Sequence, residues 1–178
     1  MQNQPEGNYF DKYNSKNAIV KRIMNQFFSD MRALLKDLNY TKVLDAGCGE
    51  GHIADFIYRQ RSSTEVDAFD ISAKVVEEAA NRYPHIKFAT GSIYEINQPE
   101  NSYDLVVACE VLEHLDSPEC AVKELLRVTN QFLLLSVPQE PIWRILNMTR
   151  GKYWKDLGNT PRHIQHWSKQ GFINFIEH

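Results

Sequence analysis

Apolar residues recur at Ile19, Val20, Ile23, Met24, Phe27, Met31, Leu34, Leu35 and Leu38, the three-and-four spacing of a long amphipathic helix with one face against a core. Beyond Leu38 the period changes. Short apolar runs at Lys42 to Asp45, Glu65 to Phe69, Ile86 to Ala89, Tyr103 to Cys109 and Phe132 to Val137 read as strands. Glu50 to Gln60, Ser72 to Arg82 and Pro118 to Val128 read as helices between them. Strands apolar throughout and separated by helices predict an α/β fold: a parallel sheet with helices on both faces and ligands outside the strands' carboxyl ends.

The regularity fails from Pro138 to Trp167. That tract holds all three tryptophans, Trp143, Trp154 and Trp167, with Arg144, Arg150, Lys152, Lys155 and Arg162 against only Glu140 and Asp156. A long irregular excursion after the last strand points to a functional, ligand-binding role; solvated charges on a covering helix are the plainer alternative. Arginines there suit phosphate or carboxylate, and Trp143 with Ile142, Ile145 and Leu146 suits an apolar tail, so the expected ligand is small or lipid-linked and anionic.

Composition narrows the class. The 178 residues are 43% hydrophobic, enough for one domain with a real core, and the net charge of -3 makes nucleic acid an unlikely partner. Cys48, Cys109 and Cys120 are odd in number and widely spaced, which argues for a reducing compartment rather than a disulfide framework. Met1 to Gly7 is polar, and the longest apolar runs fall far short of the ~20 residues that cross a bilayer, so no transmembrane segment and a cytoplasmic location are expected.

The most informative stretch is Val43 to His52, an apolar run ending in Asp45 and then Gly47, Gly49 and Gly51. Glycines let the backbone leave a strand sharply and approach a ligand, and the following helix N-terminus offers N–H groups. Asp70 closes the next strand-like run at about the ~20-residue distance expected of a ribose-binding acid. The plainer reading makes the glycines a tight turn and Asp70 a helix cap. A nicotinamide site would carry Gly-x-Gly-x-x-Gly, whereas here the third glycine arrives one residue early and His52 takes its place. After the fourth strand, Glu110-Val-Leu-Glu113-His114 gathers two carboxylates and an imidazole, hard and nitrogen donors suited to a divalent metal.

These motifs resemble class I S-adenosylmethionine-dependent methyltransferases from Tyr9 to the end of the chain. The resemblance rests on Asp45 to Gly51, Asp70, Tyr103 to Val107 and Glu110 to Leu115. It implies a Rossmann-like core at 41–137, an N-terminal lid and helix at 1–40 with Tyr9, Lys12 and Tyr13 over the cofactor, and a substrate-side insertion with an incomplete C-terminal part at 138–178, one domain overall. S-adenosylmethionine would be the cofactor and S-adenosylhomocysteine the product. Asp45, Gly47, Gly49 and Gly51 would cradle its amino-acid part, Asp70 would accept from both ribose hydroxyls, Ile71 would pack on the adenine, and Ser92 with Ile93 would line the other side. Ser92 stands where the family usually has an acid. Cys109 and Glu110 would lie beside the transferable methyl.

Glu110 to His114, with His163 four residues before Trp167, is also similar to metal-dependent 2′-O-methyltransferases of small-RNA 3′ ends and to ubiquinone-pathway O-methyltransferases. That similarity implies a metal set of Glu110, Glu113, His114 and His163. Without a metal, His163, His166 and His114 are the candidates for general base and substrate hydrogen bonding, and His114 also has a purely packing alternative. Either route predicts oxygen as the acceptor atom, with RNA methylation as the alternative substrate class. The family normally continues past a helix like Lys169 to His178 into an antiparallel hairpin on the sheet edge, which is missing here. An unpaired edge predicts a homodimer, or a truncated or non-catalytic binding module.

Overall fold

Asn17 starts the first helix: its side-chain oxygen accepts the N–H groups of Ile19 (2.9 Å) and Val20 (3.4 Å). The computed structural model describes residues 17–139 and 163–177. Helix α1 (Ala18–Leu35) is followed by β1 (Lys42–Ala46), α2 (His52–Gln60), β2 (Glu65–Asp70), α3 (Ala73–Arg82), β3 (Lys87–Thr90), β4 (Tyr103–Cys109), a 3-10 turn (Leu112–His114), α4 (Pro118–Val128), β5 (Thr129–Ser136) and α5 (Lys169–Glu177). The five strands are parallel in the order β3-β2-β1-β4-β5. The expected α/β sheet with helices on both faces is the one observed.

Both faces of the central strands are buried, so the strands are apolar throughout rather than alternating. Val43, Leu105 and Val107 face one layer, with Met31 and Leu35 of α1 and Ile53 and Ile57 of α2. Leu44, Val106 and Ala108 face the other, with Ala121, Leu125 and Val128 of α4 and, from α5, Phe172 and Phe175.

Most element boundaries match the sequence reading within two residues, and the differences have physical causes. Helix α2 begins at His52 rather than Glu50 because Gly51, at φ +80°, is its N-cap. Helix α1 ends at Leu35 rather than Leu38: Lys36 N–H closes on the Arg32 carbonyl, and Leu38 N–H bonds back to Leu35 at 3.2 Å. Strand β5 starts at Thr129 rather than Phe132, because a bulge opposite Asp104 lets the polar Asn130 and Gln131 join the strand.

The order reverses between β1 and β4, whose carboxyl ends therefore open a crevice with adjoining strands diverging on either side. Strand β5 ends the sheet order, and beyond it Gln139 forms a parallel bridge with Trp167. Tyr9, Lys12, Tyr13, Trp143, Trp154 and the basic residues between 140 and 162 lie outside the described residues. Among the described residues no helix is long and apolar enough to cross a membrane.

Candidate functional site

The loop after β1 turns on three positive backbone angles, +77° at Gly47, +51° at Gly49 and +80° at Gly51. Its amides are tied to β2. Gly47 N–H and Cys48 N–H both donate to the Phe69 carbonyl, at 2.8 and 2.9 Å. Gly49 N–H donates to Asp70 Oδ2 at 3.0 Å, while Ser72 N–H donates to Asp70 Oδ1 at 3.0 Å. Asp70 thus clasps the glycine loop and the start of α3 together. Each of its oxygens retains a lone pair, so the capping role and a diol-binding role are compatible.

Asp45, the last acid before the loop, is 1% exposed. Its carboxyl accepts the Ala54 N–H in the first turn of α2, supplying from β1 the cap that Gly51 has no side chain to give. Burial pushes this carboxyl up to about 7; the Ala54 N–H works in the opposite direction and the charge of Asp70 adds to the rise. Among the described residues Asp45 Oδ2 has no hydrogen-bond donor.

The second wall comes from the loop after β4. Glu110 adopts φ +60°, a left-handed conformation that costs a side-chain-bearing residue on the order of 1–2 kcal/mol. Ser136, at the end of β5, holds it there: Glu110 N–H donates to the Ser136 carbonyl at 2.9 Å and Ser136 Oγ to Glu110 Oε1 at 3.4 Å. Val111 then lies against Gly47, where a Cβ would meet Val111 Cγ2 at 2.6 Å. Only glycine lets the two loops close on each other.

One turn further on, the 3-10 turn presents Glu113 and His114, and the chain returns fifty residues later to bring His163 beside them. Ligand atoms of Glu113, His114 and His163 all lie within 4.8 Å of one another, and the two imidazole rings meet edge to face at 4.9 Å. Glu113 is 1% exposed, whereas the two histidines are half-buried. The returning segment is bonded to the turn: Ile164 and Gln165 N–H both donate to the Glu113 carbonyl, at 2.8 and 3.0 Å.

Of the four-residue metal set, Glu110 lies outside this cluster. Its left-handed backbone and its bond to Ser136 keep it at the end of β4, while the 3-10 turn carries Glu113 onward. His166 is also apart from it, on the exposed side of the returning segment. Ile71, next to Asp70, is 41% exposed. Ser92 is half-buried with its Oγ accepting Tyr94 N–H at 3.2 Å, Ile93 packs into the core beside Phe69 with 7% exposure, and Cys109 is buried opposite Ser136. Sequence reasoning placed Ser136 at the close of the fifth strand and Val111 inside the motif after the fourth, but gave neither its role, Ser136 holding Glu110 and Val111 pressing on Gly47.

Comparison with known proteins bears on the same residues. A family model described as a methyltransferase domain matches residues 43–131, half of the chain. A probable S-adenosylmethionine-dependent methyltransferase of Mycobacterium tuberculosis is 36% identical over 98 residues, 54% of this chain and 35% of the relative. The mitochondrial ubiquinone biosynthesis O-methyltransferase of Schizosaccharomyces pombe is 28% identical over 120 residues, 63% of this chain and 43% of the relative. Among solved structures, the YcgJ protein of Bacillus subtilis superposes with a TM-score of 0.65 at 20% identity, covering 86% of this chain and 67% of that one. The methyltransferase domain of bacterial CtHen1-CN gives 0.67 at 24% identity, covering 86% and 81%. The chain spans about a third of the length of the first of these curated relatives. With the glycine loop, Asp70 and β4 all inside the matched region, the chain belongs to the methyltransferase-domain family, in its class I S-adenosylmethionine-dependent branch.

Proposed function

We propose that this chain is the catalytic core of an S-adenosylmethionine-dependent methyltransferase that methylates a hydroxyl oxygen on a small or lipid-linked, anionic acceptor. The observation that carries the reading is the junction of two half-sites at one crevice. The loop and Asp70 line the β1 side, and the cluster of Glu113, His114 and His163 follows the β4 side. Distant relatives named as O-methyltransferases support the acceptor atom.

The donor side fits a cationic nucleoside. Asp45 Oδ2 is buried with no donor among the described residues, so a positive charge near the loop would meet a carboxyl group that gains by ionising. Bound there, S-adenosylmethionine supplies a methyl group already activated by its sulfonium. Asp70 would hold the ribose diol and Ile71 would cover the adenine face, while the Gly47–Val111 contact brings the two loops together beneath them. On the acceptor side, an imidazole nitrogen of His163 or His114 takes the hydroxyl proton. The buried Glu113 carboxylate, within reach of both, stabilises the imidazolium that results. Alignment of the hydroxyl with the methyl would supply much of the acceleration.

A second reading rests on the same cluster. Glu113, His114 and His163 offer one oxygen and two nitrogens to a divalent cation, which would lower the hydroxyl pKa directly. That version extends to an RNA 2′-hydroxyl, against which the net charge of -3 weighs. We further infer that the reaction runs in the reducing cytoplasm, the three cysteines being odd in number and widely spaced, and that a second copy pairs along the β5 edge.

Calorimetry with S-adenosylhomocysteine tests the donor half: one-to-one binding is expected, and a folded sample that does not bind overturns it. Turnover on a panel of phenolic and lipid-linked hydroxyls, with and without excess chelator, separates the histidine base from the cation. Binding without turnover on any acceptor favours a non-catalytic module.

A further inference from the structure

Residues 163–167 alternate in burial: His163, Gln165 and Trp167 are half-buried, while Ile164 and His166 are exposed. Every second side chain is thus turned toward the protein. Its attachments are spread along its length. Ile164 and Gln165 N–H donate to the Glu113 carbonyl, Gln165 Nε2 donates to the Leu115 carbonyl at 3.1 Å, and Trp167 bridges to Gln139 and packs on Phe172 and Phe175. The segment is a strap across the 3-10 turn.

The strap solves a geometric problem for the acceptor half-site. A three-residue turn leaves carbonyls at its end without helical partners, and the strap satisfies two of them, those of Glu113 and Leu115. Of the attachments, the Ile164 and Gln165 amides and the Gln139–Trp167 bridge are backbone and would survive any side-chain change at position 165. The side-chain bond from Gln165 anchors a second point, two residues past Glu113, and so fixes the direction in which the strap runs as well as its distance.

From this arrangement we propose that Gln165 is a positioning residue: its amide bond to Leu115 sets the strap so that the His163 imidazole stands edge-on to His114 beside Glu113, making one proton-accepting unit from residues fifty positions apart. The proposal rests on the acceptor-side reading given above. It names Gln165 as acting through His163, with no contact to donor or acceptor of its own.

The test is nuclear magnetic resonance on the full chain with labelled histidine rings, comparing wild type, Gln165→Leu and Gln165→Lys. Leucine fills similar volume with no donor; lysine keeps a donor of comparable reach. Ring-to-ring Overhauser contacts between His114 and His163 are expected in wild type, lost or weakened severalfold in Gln165→Leu, and restored in Gln165→Lys. S-adenosylhomocysteine affinity, measured on the same samples, should stay within about twofold, since the β1 half-site is untouched. Manganese added alone should broaden both histidine rings in wild type and lose affinity about tenfold or more in Gln165→Leu.

A folded Gln165→Leu protein with the His114–His163 contact intact overturns the proposal. So does loss of the contact that lysine fails to restore, which would mark Gln165 as packing only. Wild type that binds no S-adenosylhomocysteine, yet shows the ring contact and its dependence on Gln165, defeats the donor reading and leaves the positioning role standing. Manganese without effect on wild type removes only the cation version, because the ring contacts are read without metal.

Discussion

Gly47 and Val111 touch across the seam between β1 and β4, so closely that a methyl group on Gly47 would stand 2.6 Å from Val111 Cγ2. Gly47→Ala must carry both that clash and a φ of +77°, a combined cost of about 2–4 kcal/mol. Urea denaturation of Gly47→Ala, Val111→Ala and the double variant separates the two. The double variant should recover the clash, about 1–2 kcal/mol, and keep the backbone penalty. Strict additivity would mean that the two loops do not press on each other.

The buried Asp45 predicts a proton coupled to cofactor binding. Its carboxyl is pushed up to about 7 from an ordinary 3.8, so between those values the folded chain holds a proton that the unfolded chain has released. Its contribution to stability is therefore complete below the lower value and lost as pH rises through the upper one. A sulfonium ligand favours the ionised form, so binding near pH 6 should expel part of a proton, and binding above pH 8 none. Calorimetry in two buffers of different ionisation enthalpy reads this directly. Equal heats at pH 6 would refute it, and Asp45→Asn should abolish the difference.

Asp70 holds two backbone amides that belong to different elements, the loop and α3. Asp70→Ala is expected to weaken S-adenosylhomocysteine binding by about 10–100-fold, through loss of both the diol acceptors and the loop clasp. Asp70→Asn keeps one acceptor oxygen and should fall between. Affinities unchanged in both variants would leave Asp70 as a cap alone.

At the opposite end of the sheet Asp104 is held well down, to about 2, chiefly by the Thr41 backbone N–H and hydroxyl at 2.9 and 2.8 Å, with Lys42 N–H at 3.1 Å adding to them. A depressed carboxylate stabilises above its ordinary 3.8 and loses that contribution as pH falls through about 2. Asp104→Asn should cost on the order of 1–2 kcal/mol at neutral pH and progressively less in acid. Denaturant midpoints at pH 7 and near pH 2.5 check the convergence.

The glycine loop and its clasp were readable because their signals are local. Glycines at alternate positions, an acid at a fixed distance and an apolar run such as Tyr103–Cys109 all announce themselves within a few residues. The cluster of Glu113, His114 and His163 depends on the chain's return. His163 was legible as a histidine at a suggestive spacing from Trp167, but Gln165 carried no signal, since its role exists only once the 3-10 turn offers the Leu115 carbonyl. Glu110 shows the limit of spacing alone. Its spacing from Glu113 suits a shared ligand set, whereas its left-handed backbone and its bond to Ser136, which no local pattern announces, stand it outside the cluster of Glu113, His114 and His163. In β5, a bulge that polar residues satisfy at Asp104 overrode the apolar pattern that marks a strand's start.

The bridge between Gln139 and Trp167 joins two positions far apart in the sequence. With the chain pinned at both, each doubling of the length between them costs only ~0.6 kcal/mol of closure entropy. A short glycine-serine insertion directly after Gln139 should therefore cost little stability and leave the Ile164 and Gln165 bonds to the Glu113 carbonyl in place. The bridge lets the far edge of the sheet and the returning chain keep step whatever the length of chain that joins them.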